Sequence, residues 1–401
     1  VKVSLYIAKR YLFSKKSHNA INFISMVAMC GIAIATMATV CAMSVFDGFK
    51  VLVSDMFNAF DPELKITPVK GKVFDPTTAD FQALYNLPEI ALITETVEDN
   101  VLIKNGDKYV PAVLKGVSDN FTQLTHIEDI MFSGDFHLQD EVNDYTVMGI
   151  GLASTLGAYA DQRYPLEIYA PRRNVPVDMI NPSGSFRQDY VYISSTFLVN
   201  QPVYDENYLL VPLSLARELF DYPTAVSSLE LKLAKGVTIK SAQKKISEII
   251  GSDYEVKDRY EQQEAVYKMM NIEKWVVFFI LCFIVLVAAF NVIGSLSMLI
   301  MEKKDDIATL RNLGADNKLI SRIFLFEGWL ITAIGAIAGI VLGVLVCWGQ
   351  QHFGWLKLGT INAYPVHIEA GDLLVIFVSV LVIGLLAVLY PVHYLAKKWL
   401  K

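Results

Sequence analysis

The sequence predicts a membrane α-helical protein, with four transmembrane helices and an α+β extracytoplasmic domain that carries a β-rich insert. Three observations predict it. Four long runs, 21–45, 275–301, 328–351 and 373–395, contain no charged residue. Between the first and second lie 228 residues of mixed, strongly acidic sequence, 47–274. Basic residues gather at alternate connections between the runs.

Each run reaches or exceeds the ~20 residues that a helix needs to cross a ~30 Å hydrocarbon core. One Lys, Arg or Asp at a helix centre costs roughly 2.5–3.5 kcal/mol on insertion, so charge-free stretches of this length mark spans. The first run is longer than the roughly 7–15 apolar residues of a signal peptide, and Asp47 follows it where a cleavage site would have small residues; it reads as a retained span. Short basic segments stay cytoplasmic. Residues 1–20 hold Lys2, Lys9, Arg10, Lys15 and Lys16, the 302–327 loop holds Lys303, Lys304, Arg311, Lys318 and Arg322, and the 396–401 tail holds Lys397, Lys398 and Lys401. The 352–372 loop has Lys357 alone. Both termini and the 302–327 loop are therefore expected inside, with 47–274 and the short 352–372 loop outside. Trp275, Trp329, Trp348, Trp355 and Trp399 fall at or just beyond the expected boundaries, as an interfacial aromatic belt requires.

Charge and composition exclude several functions. Residues 47–274 carry 21 basic and 34 acidic side chains, net −13, and the remainder is net +7. An acidic outer domain offers no basic patch for phosphates, so nucleic acid is not an expected partner. The four cysteines, Cys30, Cys41, Cys282 and Cys347, lie in the spans, where they act as small apolar fillers and leave the outer domain without disulfides. His126 and His137 have no partner pattern for a metal. The Gly149–Gly157 stretch lacks the Lys-Ser/Thr that completes a phosphate loop. No catalytic constellation, metal site or bound cofactor is expected on this chain.

Within 47–274 the periods of strands and helices alternate. A strand is expected over 64–69, a helix over 79–87, and one or two strands over 90–103, ending at the Asn105-Gly106 turn. Later come a strand over 208–211, a helix over 212–220 with Pro212 at its start, a strand over 228–233, a helix over 238–250 and a strand over 254–259. Residues 112–206 are richer in Pro, Gly and Tyr and read as the β-rich insert between two halves of an α+β domain. Residues 261–274 have helical composition with no breaker before Trp275 and read as a helical stalk.

In the third span Gly335, Gly339 and Gly343 recur every four residues, a ridge that admits a neighbouring helix closely, either inside the bundle or at a subunit contact. With no Asp, Glu, Lys or Arg inside the spans, an ion or proton pathway is not expected. Residues 302–316 read as a short amphipathic helix, with Ile307, Leu310 and Leu313 on one face and Gly314 as its stop. Five basic and four acidic residues between Glu302 and Arg322 suit a protein partner better than anionic lipid.

One span, a large outer domain and three further spans resemble the ABC permease family that groups lipoprotein-releasing subunits, macrolide exporters and the cell-division permease. Leu5-Tyr-Ile-Ala-Lys-Arg-Tyr-Leu12 is similar to the family's cytoplasmic leading helix. Ser44-Val-Phe-Asp-Gly-Phe49 resembles the Ser-Val-x-Asn-Gly-Phe that closes the first span of lipoprotein-releasing members. The segment Glu302, Lys303, Lys304, Asp305, Asp306, Ile307, Leu310, Arg311, Leu313, Gly314, Ala315 is similar to the coupling helix that contacts an ATPase. The resemblance implies a porter-like outer domain in a multi-pass protein of the bacterial inner membrane. It implies a non-catalytic subunit paired with a second permease, identical or different, and with two separate ATPase subunits that hold ATP and Mg. It also implies a lipoprotein cargo that enters laterally between the first and second spans and passes to a soluble periplasmic carrier. Met37, Met43, Phe46, Val287 and Phe290 would line that lipid cavity, or else simply face lipid or pack in the core. An ATP-driven scaffold that controls an outer enzyme, or an exporter of amphipathic small molecules, would have the same architecture.

Overall fold

The computed structural model describes residues 2–13, 19–160, 162–172, 182–358 and 362–399. Val1 and residues 14–18 of the N-terminal segment, 161 and 173–181 of the insert, 359–361 of the short loop, and Leu400 and Lys401 of the tail lie outside the described residues. The chain divides into two compact units, Val1–Leu52 with Val266–Lys401, and Val53–Ala265.

In chain order the first unit opens with α1 (Lys2–Phe13) and α2 (Asn19–Asn58). The second unit holds β1 (Leu64–Pro68), α3 (Ala79–Leu84), β2 (Ile90–Asn105), β3 (Lys108–Val117), α4 (Phe121–Leu124), β4 (Met131–Ser133), β5 (Tyr145–Gly149) and α5 (Ile150–Leu156). It continues through β6 (Leu166–Pro171), β7 (Phe186–Phe197), α6 (Pro202–Asp205), β8 (Tyr208–Pro212), α7 (Leu213–Phe220), β9 (Ser228–Leu233), α8 (Ile239–Ile250), β10 (Tyr254–Asp258) and α9 (Arg259–Gln262). The chain then returns to the first unit with α10 (Glu264–Glu302), α11 (Lys304–Asn312), α12 (Asn317–Phe353), β11 (Lys357–Leu358), β12 (Asn362–Ala363) and α13 (Ala370–Trp399).

Among the described residues four helices, α2, α10, α12 and α13, are long and apolar enough to cross a membrane. In hydrocarbon a helix satisfies every backbone group internally, which is why these runs take that form. Each is longer than its charge-free run. In particular, α12 starts at Asn317, so residues 317–327, expected in a loop, are helical. The second span continues as helix back to Glu264; residues 261–262 of the expected stalk belong instead to α9, whose start is fixed by a capping box between Asp258 and Glu261.

In the second unit β2 is one strand of 16 residues, joined to β3 by a tight turn in which Gly106 adopts a φ of +59°. Its first half pairs with β9, and β9 with β1 and β10 beyond it. Helices α3 and α8 cover this layer, burying Leu64, Ile66, Phe81, Leu84, Leu229, Leu231 and Ile246. The second half of β2 pairs with β3 on one side and β6 on the other. From β3 the ladder passes to β8, β5, β7 and back to β6, which closes a ring of six strands. Val97, Val101, Ile103, Leu114, Met148, Leu166, Ile168, Val191 and Leu209 fill its core, with Leu152 and Leu156 of α5 and Leu215 and Leu219 of α7. The β-rich part is thus larger than the insert expected over 112–206. It also takes in residues 97–111 and 208–220, because β2 is long enough to serve two ladders at once.

Where residues 53–61 and 259–263 meet this sheet, an ionic and aromatic hub forms inside the second unit. Asp61 accepts from Tyr204 Oη at 2.6 Å and from Gln263 Nε2 at 2.9 Å. Burial, then the Asp61 carboxylate, pushes the Tyr204 phenol well above its ordinary value, so it remains a donor. Tyr208 Oη donates to Glu98 at 2.8 Å. Desolvation works to raise the Glu98 carboxyl, but the charges of Lys65 and Lys115 hold it below its ordinary value. Lys115 Nζ lies 2.8 Å from Glu230, with side chains 2% and 0% exposed, and 4.9 Å from the centre of the Phe60 ring. A charge this deep depends on its partner, and removing one member alone costs roughly 3–5 kcal/mol, whereas replacing both by apolar groups is often neutral. Lys115→Met is therefore expected to lower the opening free energy of the β3 and β9 amides by about that amount. Lys115→Met with Glu230→Leu is expected to recover most of it, as measured by native-state hydrogen exchange.

Candidate functional site

Helix α11 is defined by its ends. Asp305 and Asp306 occupy its first turn and Arg311 its last, the order that the helix dipole favours. Gly314 takes a φ of +90°. Its N–H donates to Arg311 O at 2.8 Å, and the Ala315 N–H donates to Leu310 O at 3.0 Å, the paired bonds of a Schellman stop. Asp316 then caps α12 by accepting from Leu319 N at 2.8 Å. On the other side, α1 reaches the segment through Tyr11. Lys303 Nζ stands 5.0 Å from the Tyr11 ring centre and 3.3 Å from Asp306. Burial, then the Asp306 carboxylate, pushes the Tyr11 phenol up to about 12.

Lys303, Ile307, Leu310 and Ala315 are half-buried, and Ile307 and Ala315 pack against the core of the helical unit. Glu302, Lys304, Asp305, Asp306, Arg311, Leu313 and Gly314 are exposed. The stripe expected from Ile307, Leu310 and Leu313 is divided: the stop ends the helix at Asn312, and Leu313, at the cap, is 80% exposed. The segment therefore exposes the large apolar side chain of Leu313 together with charges of both signs.

The glycine ridge of α12 faces α2 in the same chain. A Cβ at Gly335 would lie 2.9 Å from Met29 O, one at Gly339 2.5 Å from Ala33 O, and one at Gly343 2.8 Å from Val40 Cβ. Among the residues expected to line a lipid cavity, Met43 is sealed in the bundle core, Met37 and Phe46 are half-buried, and Val287 and Phe290 are exposed on α10. The set is split between core and surface and does not form one enclosed lining. Helices α10 and α13 bury 22% of their most apolar stretch inside the chain, against 44% for α2 and α12.

A second cluster joins three of these helices. Lys274 Nζ of α10 lies 2.6 Å from Asp47 Oδ1 of α2 and 2.7 Å from Asp372 Oδ2 of α13. The carboxylates of Asp47, Glu369 and Asp372 come within 4.8 Å of one another, a spacing that could hold a metal ion. Here the chain supplies the cation itself, as the Lys274 ammonium.

Comparison with known proteins identifies the architecture. A model of the MacB-like periplasmic core domain matches residues 25–249, more than half of the chain, and one of the FtsX-like permease C-terminal part matches residues 278–399. The chain belongs to this family of ABC permeases. A lipoprotein-releasing system transmembrane protein LolC of Neisseria meningitidis serogroup B is 27% identical over 407 residues, covering 96% of this chain and 95% of the relative. A LolE of Haemophilus influenzae is 25% identical, covering 98% and 96%. The crystal structure of the periplasmic region of MacB from Actinobacillus actinomycetemcomitans is similar over 53% of this chain and 94% of that one, with a TM-score of 0.38 at 13% identity. The permease is thus a multi-pass protein of the inner membrane with a MacB-like periplasmic domain.

Sequence reasoning missed two features of the permease. Asp47 and Lys274 sit at span ends, where charges look like ordinary flanks, and nothing local pairs residues 227 positions apart. Glu327, one residue before the third charge-free run, is 0% exposed inside α12, a buried acid that the sequence pattern did not mark. The charge-free run starts after it because Glu327 is itself an acid, while α12 already begins at Asn317. Of the polar residues in the spans, Ser295 bonds to Ser25 across the α2–α10 contact at 3.1 Å.

Opposite signs are expected for one substitution at two glycines. Gly294 of α10 has nothing within 4 Å of an added Cβ, so Gly294→Ala should raise the melting temperature of the purified permease slightly, by the ~0.5–1 kcal/mol of helix propensity. Gly339→Ala should lower it, by an overpacking cost of about 1–3 kcal/mol.

Proposed function

We propose that the permease is the membrane subunit of an ATP-driven complex that extracts lipoproteins from the inner membrane and hands them to a soluble periplasmic carrier. The observation that carries this reading is the extent of the match to lipoprotein-releasing relatives, which runs through the periplasmic domain and all four spans alike. The two lipoprotein-releasing relatives named above match this chain over nearly the whole length of both proteins. The basic flanks support placing both termini and α11 in the cytoplasm.

ATP and Mg are held by a separate ATPase, in two copies, and this chain binds neither. The exposed charges of α11 and the bare Leu313 side chain are the docking surface for that ATPase. Next to α11, α10 runs without a break for 39 residues, about 58 Å at 1.5 Å per residue, well beyond the ~30 Å of the hydrocarbon core. A stiff rod of that length carries a displacement made at one end to the other. The apolar surface that α10 leaves uncovered, including Val287 and Phe290, is offered to acyl chains and to a second permease subunit.

Two measurements test the reading. Native mass spectrometry of the complex purified from inner membranes should find a triacylated lipoprotein; a complex with ATPase but no lipidated cargo would favour the scaffold that only transmits movement. Leu313→Glu changes an exposed cap residue and should leave membrane insertion intact. It is expected to weaken ATPase co-purification by about tenfold or more, the loss of a central apolar contact at an interface.

A further inference from the structure

The contact between α2 and α10 is pinned at two places by polar groups, with apolar packing between them. At one end Ser25 meets Ser295. In the middle, Ile32, Val40 and Met43 pack in one core with Phe278, Val285 and Val292. At the other end stands the Asp47–Lys274–Asp372 cluster.

The helix that Lys274 holds there is joined to a rigid block. The segment before α13 is stitched to α2: His367 N–H donates to Ser44 O at 2.8 Å, the Phe49 and Tyr364 rings meet edge to face at 5.3 Å, and a Cβ at Gly48 would lie 2.5 Å from the Pro365 backbone. It is stitched to α12 as well, by Gln351 Nε2 to Val366 O at 2.8 Å and by Gln350 Nε2 to Leu356 O at 2.7 Å and Tyr364 O at 3.3 Å. Among the described residues, Lys274 reaches from α10 to both α2 and α13 at this level, and the setting of these charges differs from that of the deep ion pair in the periplasmic domain. The Lys115–Glu230 pair is 2% and 0% exposed, whereas Lys274, Asp372 and Asp47 are 16%, 20% and 6% exposed. Water can reach the ammonium and Asp372 when Lys274 leaves the more buried Asp47, so the charge that moves is never left dry and unpaired. The charges are also unequal: one ammonium faces Asp47, Asp372 and the nearby Glu369. With a surplus of acceptors, Lys274 can leave one carboxylate while keeping the other.

We propose that Asp47, Lys274 and Asp372 form a latch that keeps α10 closed against α2 and α13, and that this latch must open when the two spans part to admit a lipid-anchored chain. The latch rests on the reading that acyl chains pass between α2 and α10. Asp47 gives the closed position, and Asp372 holds the ammonium when α10 moves away from α2.

The test is a distance measurement on the full permease with its ATPase in lipid nanodiscs. Spin labels are placed at V51C and I272C, both exposed positions, on a background in which the four native cysteines are alanine. Without nucleotide the parent should give one narrow distance. K274M should broaden it and lengthen its mean by about 5 Å, the size of a one-turn slip. D47K/K274D, which restores one ammonium and two carboxylates to the same three positions, should bring back the narrow peak. D372N, which leaves the Asp47–Lys274 pair, should give an intermediate width and provides the comparison should K274M not insert. A K274M or D372N distribution that matches the parent overturns the latch, as does a charge swap that stays as broad as K274M. Lipoprotein release measured on the same samples separates the two readings: a widened distance with unchanged release leaves the latch standing and removes the passage of cargo between these spans.

Discussion

The helical unit depends on how closely α2 and α12 approach. Lipid gives apolar side chains no reason to prefer a neighbouring helix over an acyl tail, so association rests on packing contact. Gly335, Gly339 and Gly343 remove the side chains that would hold the two helices apart, and their backbone then meets Met29, Ala33 and Val40 directly. With that pair fixed, α12 presents Gly328 and Thr332 to Val388 and Gly384 of α13, so a third helix is set by the same kind of close contact. Helix α10 shares with α13 the smaller buried share of its apolar stretch, and Lys274 ties it to α2 and α13 through ion pairs.

Much of this was legible in the sequence, and the reasons are physical. A charge-free run long enough to span leaves a helix as the only form with its backbone satisfied, so the four spans could be read directly. The stop of α11 was legible because Gly314 is the one residue there that takes a left-handed φ without strain. The glycine ridge was visible as a period of four, though its partner was not, since spacing marks a close face and not what fills it. The features that stayed hidden depend on long-range pairing. Nothing near Leu102 says that it faces Tyr169, so the closure of the six-stranded ring could not be read. The Asp47, Lys274 and Asp372 charges looked like three independent flanks. The burial of Glu327 could not be read because hydropathy reports composition, while burial depends on neighbours such as α1, which packs on α12.

The two ionic clusters show how solvent access changes what a charge can do. In the periplasmic domain, Lys115 and Glu230 are sealed beneath Phe60 and Phe121 and serve to hold the hub in one arrangement. In the helical unit the same chemistry lies closer to water at Lys274 and Asp372, where hydration competes more with Coulomb attraction.

The double duty of β2 limits how the periplasmic domain can be divided. One strand completes both the open layer and the closed ring, so neither lobe is a module with its own edges. A chimaera that exchanged only residues 112–206 with a relative would keep half of the ring's staves and import the other half, and the hoop would have to close across two ancestries. Recombination that preserves the fold must carry the far half of β2, the turn at Gly106 and β8 together, which makes the ring a unit of inheritance larger than its boundaries in the sequence suggest.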